Sequence, residues 1–247
     1  MLLGCSGKPQ PPVAENGLLD LSAWDFEKNG IVRLNGEWEF YWHQLLTPED
    51  FNRPAPPKMN PPEMTGFFSP PGAWDGYMVS GKAIGPHGYA TFRLTVTLPP
   101  ALRQLTLDLW HGAGAYQIWL DDRPMFDNPQ VGKDRASTLP IWGADEKTFL
   151  LSNDSVVITL QKANFYGHSG SFGTLLAGTA HQIRRERSVM SVMELFCLGS
   201  LVVMGIYHLF LFWFRQKDNP PFISAWYACC GPPIRRLPDT AVSSSGM

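Results

Sequence analysis

A chain of 247 residues is long enough for one ordinary domain and an anchor, or for two small domains. Charged residues make up 17% and the net charge is −2, and no Lys/Arg block is present, so nothing points to a nucleic-acid partner. The cysteines are Cys5, Cys197, Cys229 and Cys230, so residues 6–196 hold no internal disulfide and no thiolate metal site.

Leu2-Leu3-Gly4-Cys5 has the shape of a bacterial lipobox, which makes Cys5 a lipidation candidate. Only four residues precede it, too few for the basic and apolar regions of a signal. Residues 1–16 are therefore read as a signal remnant and proline-bearing tether, the alternative being a floppy N-terminus.

From residue 17 to about residue 183 the chain reads as short strands between turn residues. Trp38, Phe40 and Trp42 alternate with Glu37, Glu39 and Tyr41. A short helix is expected around residues 42–51, with Thr47-Pro48-Glu49-Asp50 as its start. Eleven of the 22 prolines fall between Pro48 and Pro100, so residues 51–88 are expected to form one long irregular loop, carrying Trp74 and Tyr77.

Strand periodicity then resumes. Phe92, Leu94, Val96 and Leu98 alternate with Arg93, Thr95 and Thr97. Leu105, Leu107 and Leu109 form a second one-sided run, Tyr116, Ile118 and Leu120 a third, and Val156, Ile158 and Leu160 a fourth. Asp121-Asp122 sits between apolar runs as a hairpin turn. One apolar face per strand calls for sheets packed face to face, a mainly β sandwich.

Residues 195–214 read LFCLGSLVVMGIYHLFLFWF, twenty residues without a charge. At about 1.5 Å per residue they span about 30 Å, the thickness of the hydrocarbon core. Twelve are Leu, Ile, Val or Phe, which favours insertion by roughly 4–7 kcal/mol. The expectation is one transmembrane helix and a lipid bilayer as partner. Arg184, Arg185 and Arg187 before it nearly balance the Arg215, Lys217, Arg235 and Arg236 that follow, so charge does not set its orientation. Within residues 215–247, residues 222–230 could begin a second helix but are only nine, and residues 231–247 are polar and proline-bearing, so the whole is expected to be a short tail from a truncated or frame-shifted reading.

No catalytic constellation, cofactor motif or metal-ligand spacing stands out, and the expectation is a non-enzyme that binds a small molecule or carbohydrate. Trp74 in the long loop, with Trp119 and Trp110 on the polar parity of their strands, offer aromatic faces for a sugar ring. Arg93, Asn164 and His168 offer polar contacts. The alternative is that the tryptophans cover the sandwich and that Arg93 pairs with Glu37 or Glu39 across the sheet. Self-association is left open.

Several stretches together resemble the extracellular domains of bacterial seven-transmembrane receptors with diverse intracellular signalling modules. They are Leu18-Leu19-Asp20-Leu21 with Trp24-Asp25-Phe26, then residues 34–42 and 88–93, then residues 115–122. Asn164-Phe165 before Gly167 and Gly170, and Gly205-Ile206-Tyr207-His208-Leu209 before residues 215–218, complete the order. The resemblance covers residues 17–218. It implies a galactose-binding-like jelly-roll sandwich outside the bacterial cytoplasmic (inner) membrane, on its periplasmic or extracellular side, and a ligand-sensing role in signal transduction. Part of the pattern is also similar to sugar-binding sandwich modules attached to glycoside hydrolases. A membrane-anchored lipoprotein held through Cys5 is a further alternative.

Overall fold

The computed structural model describes residues 9–52, 62–110, 114–125, 131–140 and 146–214. The candidate lipidation residue Cys5 and the tail beyond residue 214 lie outside them. The chain divides into two compact units, Met1–Ser188 and Val189–Met247.

The first unit is a two-layer β-sandwich. Its strands in chain order are β1 (Leu18–Asp20), β2 (Val32–Arg33), β3 (Trp38–Trp42), β4 (Gly66–Phe68), β5 (Gly72–Ala73), β6 (Met78–Val79) and β7 (Lys82–Ala83). Then come β8 (Gly88–Thr97), β9 (Gln104–Trp110), β10 (Ala115–Leu120), β11 (Arg123–Pro124), β12 (Glu146–Leu150), β13 (Ser155–Asn164), β14 (Ser171–Phe172) and β15 (Thr174–Gly178). The larger sheet runs β11-β10-β13-β8-β3-β4, with β1 parallel to the end of β8. The smaller runs β12-β9-β15-β2. From β8 onward the long strands change sheets at each step: β8, β10 and β13 in the larger, β9, β12 and β15 in the smaller. That alternation is a jelly-roll path, and the fold is the mainly β sandwich that the one-sided strands call for.

The alternating residues fill the space between the sheets. Phe92, Leu94, Leu107, Ile118, Ile158 and Leu160 are each 0% exposed. Phe92 is the hub of an aromatic cluster. Its ring stacks on Phe172 at 5.0 Å and on Phe40 at 5.2 Å, with Trp74 at 6.3 Å. Rings so arranged bury large apolar areas and fix one packing geometry.

Two local expectations need correction. Residues 51–88 are not strandless: β4 pairs with β3 as an edge strand, and β5 pairs with β14 some hundred residues later. Strands of two or three residues are too short to print a period of two. The helix expected at residues 42–51 is shorter as well. Trp42 belongs to β3, and His43 at φ 56° ends the strand. Only α2 (Pro48–Asn52) is helical there, with Asp50 Oδ2 accepting from the Thr47 backbone N–H and hydroxyl, both at 2.8 Å. A further single turn, α1 (Phe26–Asn29), starts at Asp25, whose Oδ1 accepts from the Glu27 and Lys28 amides. The turn at Asp121-Asp122 is found as read, joining β10 to β11 with Leu120 opposite Arg123.

The last helix, α3 (Ala180–Phe214), begins within the first unit. Ile183 is fully buried, and Gln182 Nε2 donates to the Phe26 carbonyl at 2.6 Å. Arg187 makes a two-pronged ion pair with Asp108, at 2.6 and 3.0 Å, and Asp108 is 1% exposed. Arg184 pairs with Glu146 at 2.7 Å. In the second unit the helix carries no charge from residue 195 onward, and none of its most apolar 18-residue stretch is buried. It is long and apolar enough to cross a membrane.

Gly170 is held by contact. A Cβ there would lie 2.0 Å from the Trp74 indole nitrogen, and the ring is locked by its own packing. Gly170→Ala is expected to destabilise the sandwich by about 1–3 kcal/mol, several degrees in melting temperature. Gly85→Ala, with open space around the new methyl, is the matched control and should melt as the parent does.

Lys162 is a buried cation on the core parity of β13, opposite Tyr116 and Ala90. Burial pushes its pKa down from 10.5 to about 7. Between those values the unfolded chain binds more protons than the folded one, so this group makes stability rise with pH. Its cost is complete below about pH 7 and disappears toward pH 10.5. Thermal melts of Lys162→Met and the parent, compared at several pH values, should differ most in the mutant's favour at neutral pH, and the difference should shift toward the parent by pH 10. A pH-independent difference would mean that the lysine does not titrate in this range.

Candidate functional site

Alternation along β8 aims Phe92 inward and Arg93 outward. Register then builds a transverse row across the outer face of the larger sheet: Trp119 faces Thr159, Thr159 faces Arg93, and Arg93 faces Glu39. The next row along comprises Gln117, Gln161, Thr91 and Tyr41. An outer sheet face normally meets water, yet Thr159 is 1% and Gln117 2% exposed. Part of this face is covered by the segment leading into α2. Thr91 Oγ1 donates to the Gln44 carbonyl and accepts from the Leu46 amide, both at 2.8 Å, which seats that segment.

Between α2 and the β10–β11 turn lies a recess of roughly 100 Å³. Phe51 and Pro48 form one wall, Arg93 and Thr159 the floor, and Asp121 and Asp122 the far rim. Arg93 Nη1 lies 3.2 Å from Glu39 Oε2, which settles its cross-sheet partner as Glu39. Its guanidinium carbon also sits 4.9 Å from the centre of the Phe51 ring. Tyr41 donates to the same Glu39 oxygen at 2.8 Å. Burial, with that carboxylate beside it, pushes the Tyr41 phenol well above its ordinary range. Asp121, at φ 51°, accepts from the Val157 amide through Oδ1 at 2.8 Å.

Two polar atoms of the floor are buried without a hydrogen-bond partner among the described residues: Arg93 Nε and Thr159 Oγ1. A buried orphan costs about 1–3 kcal/mol. A donor and a hydroxyl, on facing residues of neighbouring strands, are thus left with hydrogen bonds to make. Among the described residues no three His, Cys, Asp or Glu side chains converge as metal ligands.

Of the five residues expected to bind ligand, Arg93 and Trp119 fall in this row, Trp119 half-buried on the outer face. The other three lie toward the Asn164 end of β13, about 17 Å along the strand from Thr159. Trp74 is corrected to a core residue. It is 0% exposed, its indole N–H donates to the Pro86 carbonyl at 3.2 Å, and Trp42 and Phe92 pack on it, so it presents no free ring face. Asn164 is corrected to an organiser of its own loop. Its Nδ2 donates to the carbonyls of Pro86, Ser169 and Gly167, and its Oδ1 accepts from the Gly167 amide. His168 is exposed on that loop. The side chain of Trp110 lies outside the described residues.

Sequence reasoning missed Thr159 and Phe51 and preferred a turn to a carboxylate pair at Asp121-Asp122. Thr159 is on the polar parity of a strand that was recognised, and the α2 residues that share its recess lie over a hundred residues away in the chain.

No protein-family model matches the sequence, and no curated protein matches it. Among solved structures, a GH2 β-galacturonidase from Eisenbergiella tayi bound to galacturonate is similar over 61% of this chain and 24% of its own, at 12% identity and a TM-score of 0.38. A β-glucuronidase from Faecalibacterium prausnitzii matches over 60% and 31%, at 10% identity and a TM-score of 0.38. One from an uncultured Clostridium matches over 60% and 29%, at 12% identity and a TM-score of 0.39. The chain spans less than a third of the length of each.

Proposed function

We propose that this chain is the extracytoplasmic ligand-binding portion of a bacterial membrane receptor, joined to its first membrane helix and without catalytic activity of its own. The ligand is a small molecule or carbohydrate, and its occupancy feeds a signalling output. The observation that carries this reading is α3. It starts two residues after the last sandwich strand, is anchored there by Arg187 and Arg184, and then runs charge-free and unburied over residues 195–214. An apolar surface of that extent needs hydrocarbon or protein to cover it. The polar recess on the outer face of the larger sheet supports the binding role.

Leu2-Leu3-Gly4-Cys5 favours a second reading, a lipoprotein held by Cys5. Alkaline carbonate extraction of bacterial membranes separates the two. The parent chain and Cys5→Ala are expected to stay in the pellet, and deletion of residues 195–214 to release the chain. Release of Cys5→Ala, with the deletion variant retained, would establish the lipoprotein instead. Release of the intact parent would remove both readings.

A further inference from the structure

We propose that the recess between α2 and the β10–β11 turn takes the hydroxyl-bearing edge of a neutral sugar or cyclic polyol. This deepens the ligand-binding reading above and rests on it. Thr159 Oγ1 and Arg93 Nε are both buried, unpartnered among the described residues, and set on facing positions of β13 and β8. Thr159 is 1% exposed and lines the recess, so its hydroxyl has no bulk water to bond. The N–H can only donate, and the hydroxyl can donate or accept. A pair of neighbouring ligand hydroxyls satisfies both atoms at once.

The charges select against ions of either sign. An anion drawn to Arg93 meets Asp121 and Asp122 across the recess, and Glu39 already lies 3.2 Å from the guanidinium. A cation drawn to the aspartates meets Arg93. A neutral hydroxyl suits both sides, accepting from Arg93 Nε and donating to a carboxylate. Phe51 and Pro48 supply an apolar wall for the C–H face of a ring. Roughly 100 Å³ equals the liquid volume of about three waters, enough for one ring edge and not for a chain of sugars. The ligand is therefore a monosaccharide, a polyol or the terminal unit of a glycan. Trp119, one register position beyond Thr159, stands where it reports occupancy through its fluorescence.

The full chain in a sugar-free detergent is titrated with D-galactose, D-glucose, D-mannose and myo-inositol, with D-galacturonate as the charged control. Binding is read by calorimetry and tryptophan fluorescence. At least one neutral probe is expected to bind with Kd below ~10 mM and more tightly than the uronate. Thr159→Val keeps the side-chain shape and removes the orphan hydroxyl, so its ligand-free melting temperature should equal or exceed the parent's while affinity falls about tenfold. Asp122→Asn, at an exposed turn position, should also weaken binding. The proposal is overturned if no neutral probe binds, if the uronate binds best, or if Thr159→Val binds like the parent. None of these results alters membrane retention, so failure of this site and failure of the receptor reading remain distinguishable.

Discussion

The two-residue alternation of β8, anchored on Phe92, constrains both faces of the larger sheet. Phe92 is fully enclosed by Phe40, Phe172 and Trp74, and no one-residue slip of the strand can keep that ring inside. The next residue is therefore obliged to point outward, and it is Arg93. Ten-residue pairing with β13 on one side, and pairing with β3 on the other, carries the same constraint to Thr159 and Glu39. The recess floor thus stands on the central strands of the sheet, the part least able to deform. Its wall comes from α2 and its rim from the β10–β11 turn. In the proposed site, polar atoms positioned by core packing need little reordering to bind.

Long strands were legible because each repeats its apolar residue three or four times, as Leu105, Leu107 and Leu109 do. The Asp121-Asp122 turn was legible for a related reason, being polar between two such runs. What stayed hidden depends on distant chain. Trp74 reads from sequence as a loop tryptophan, and only the approach of Gly170 and Phe92 turns it into core. Asn164 reads as a free amide, but three carbonyls of the following and preceding loops converge on its Nδ2. Thr159 is 1% exposed on a sheet face that its own strand pattern marks as wet. Local periodicity assigns a side chain to a face. It does not say what covers that face.

The outer face of the smaller sheet is covered differently. There Asp108 and Thr106 take the polar parity of β9, and both are buried. Burying a carboxylate is costly unless it is paired with good geometry, and Arg187 supplies both prongs. Such a pair is a poor source of net stability but a strict one of register: a one-residue shift of α3 would strand Asp108 without its partner. Residues 180–188 of α3, within the first unit, are therefore fixed on the sandwich. Gln182, bonded to the Phe26 carbonyl, adds a second point of attachment on another element.

Recess and helix entry thus sit on opposite outer faces, with the aromatic core between them. A continuous physical route joins them. Arg93 is the sequence neighbour of Phe92, Phe92 stacks on Phe172 with the ring planes 8° apart, and Phe172 lies two residues before β15, which leads directly into α3. A core packed at crystal-like density does not absorb a displacement gradually; it moves as a body or repacks to a second arrangement. Contact along a route is not by itself coupling, because a ligand that bound both arrangements equally would shift nothing. For the proposed receptor, a difference between arrangements has to reach the recess, whose floor holds the Arg93–Glu39 pair. In the proposed site, a sugar hydroxyl that accepts from Arg93 Nε competes with Glu39 for the guanidinium's orientation, on the residue next to Phe92.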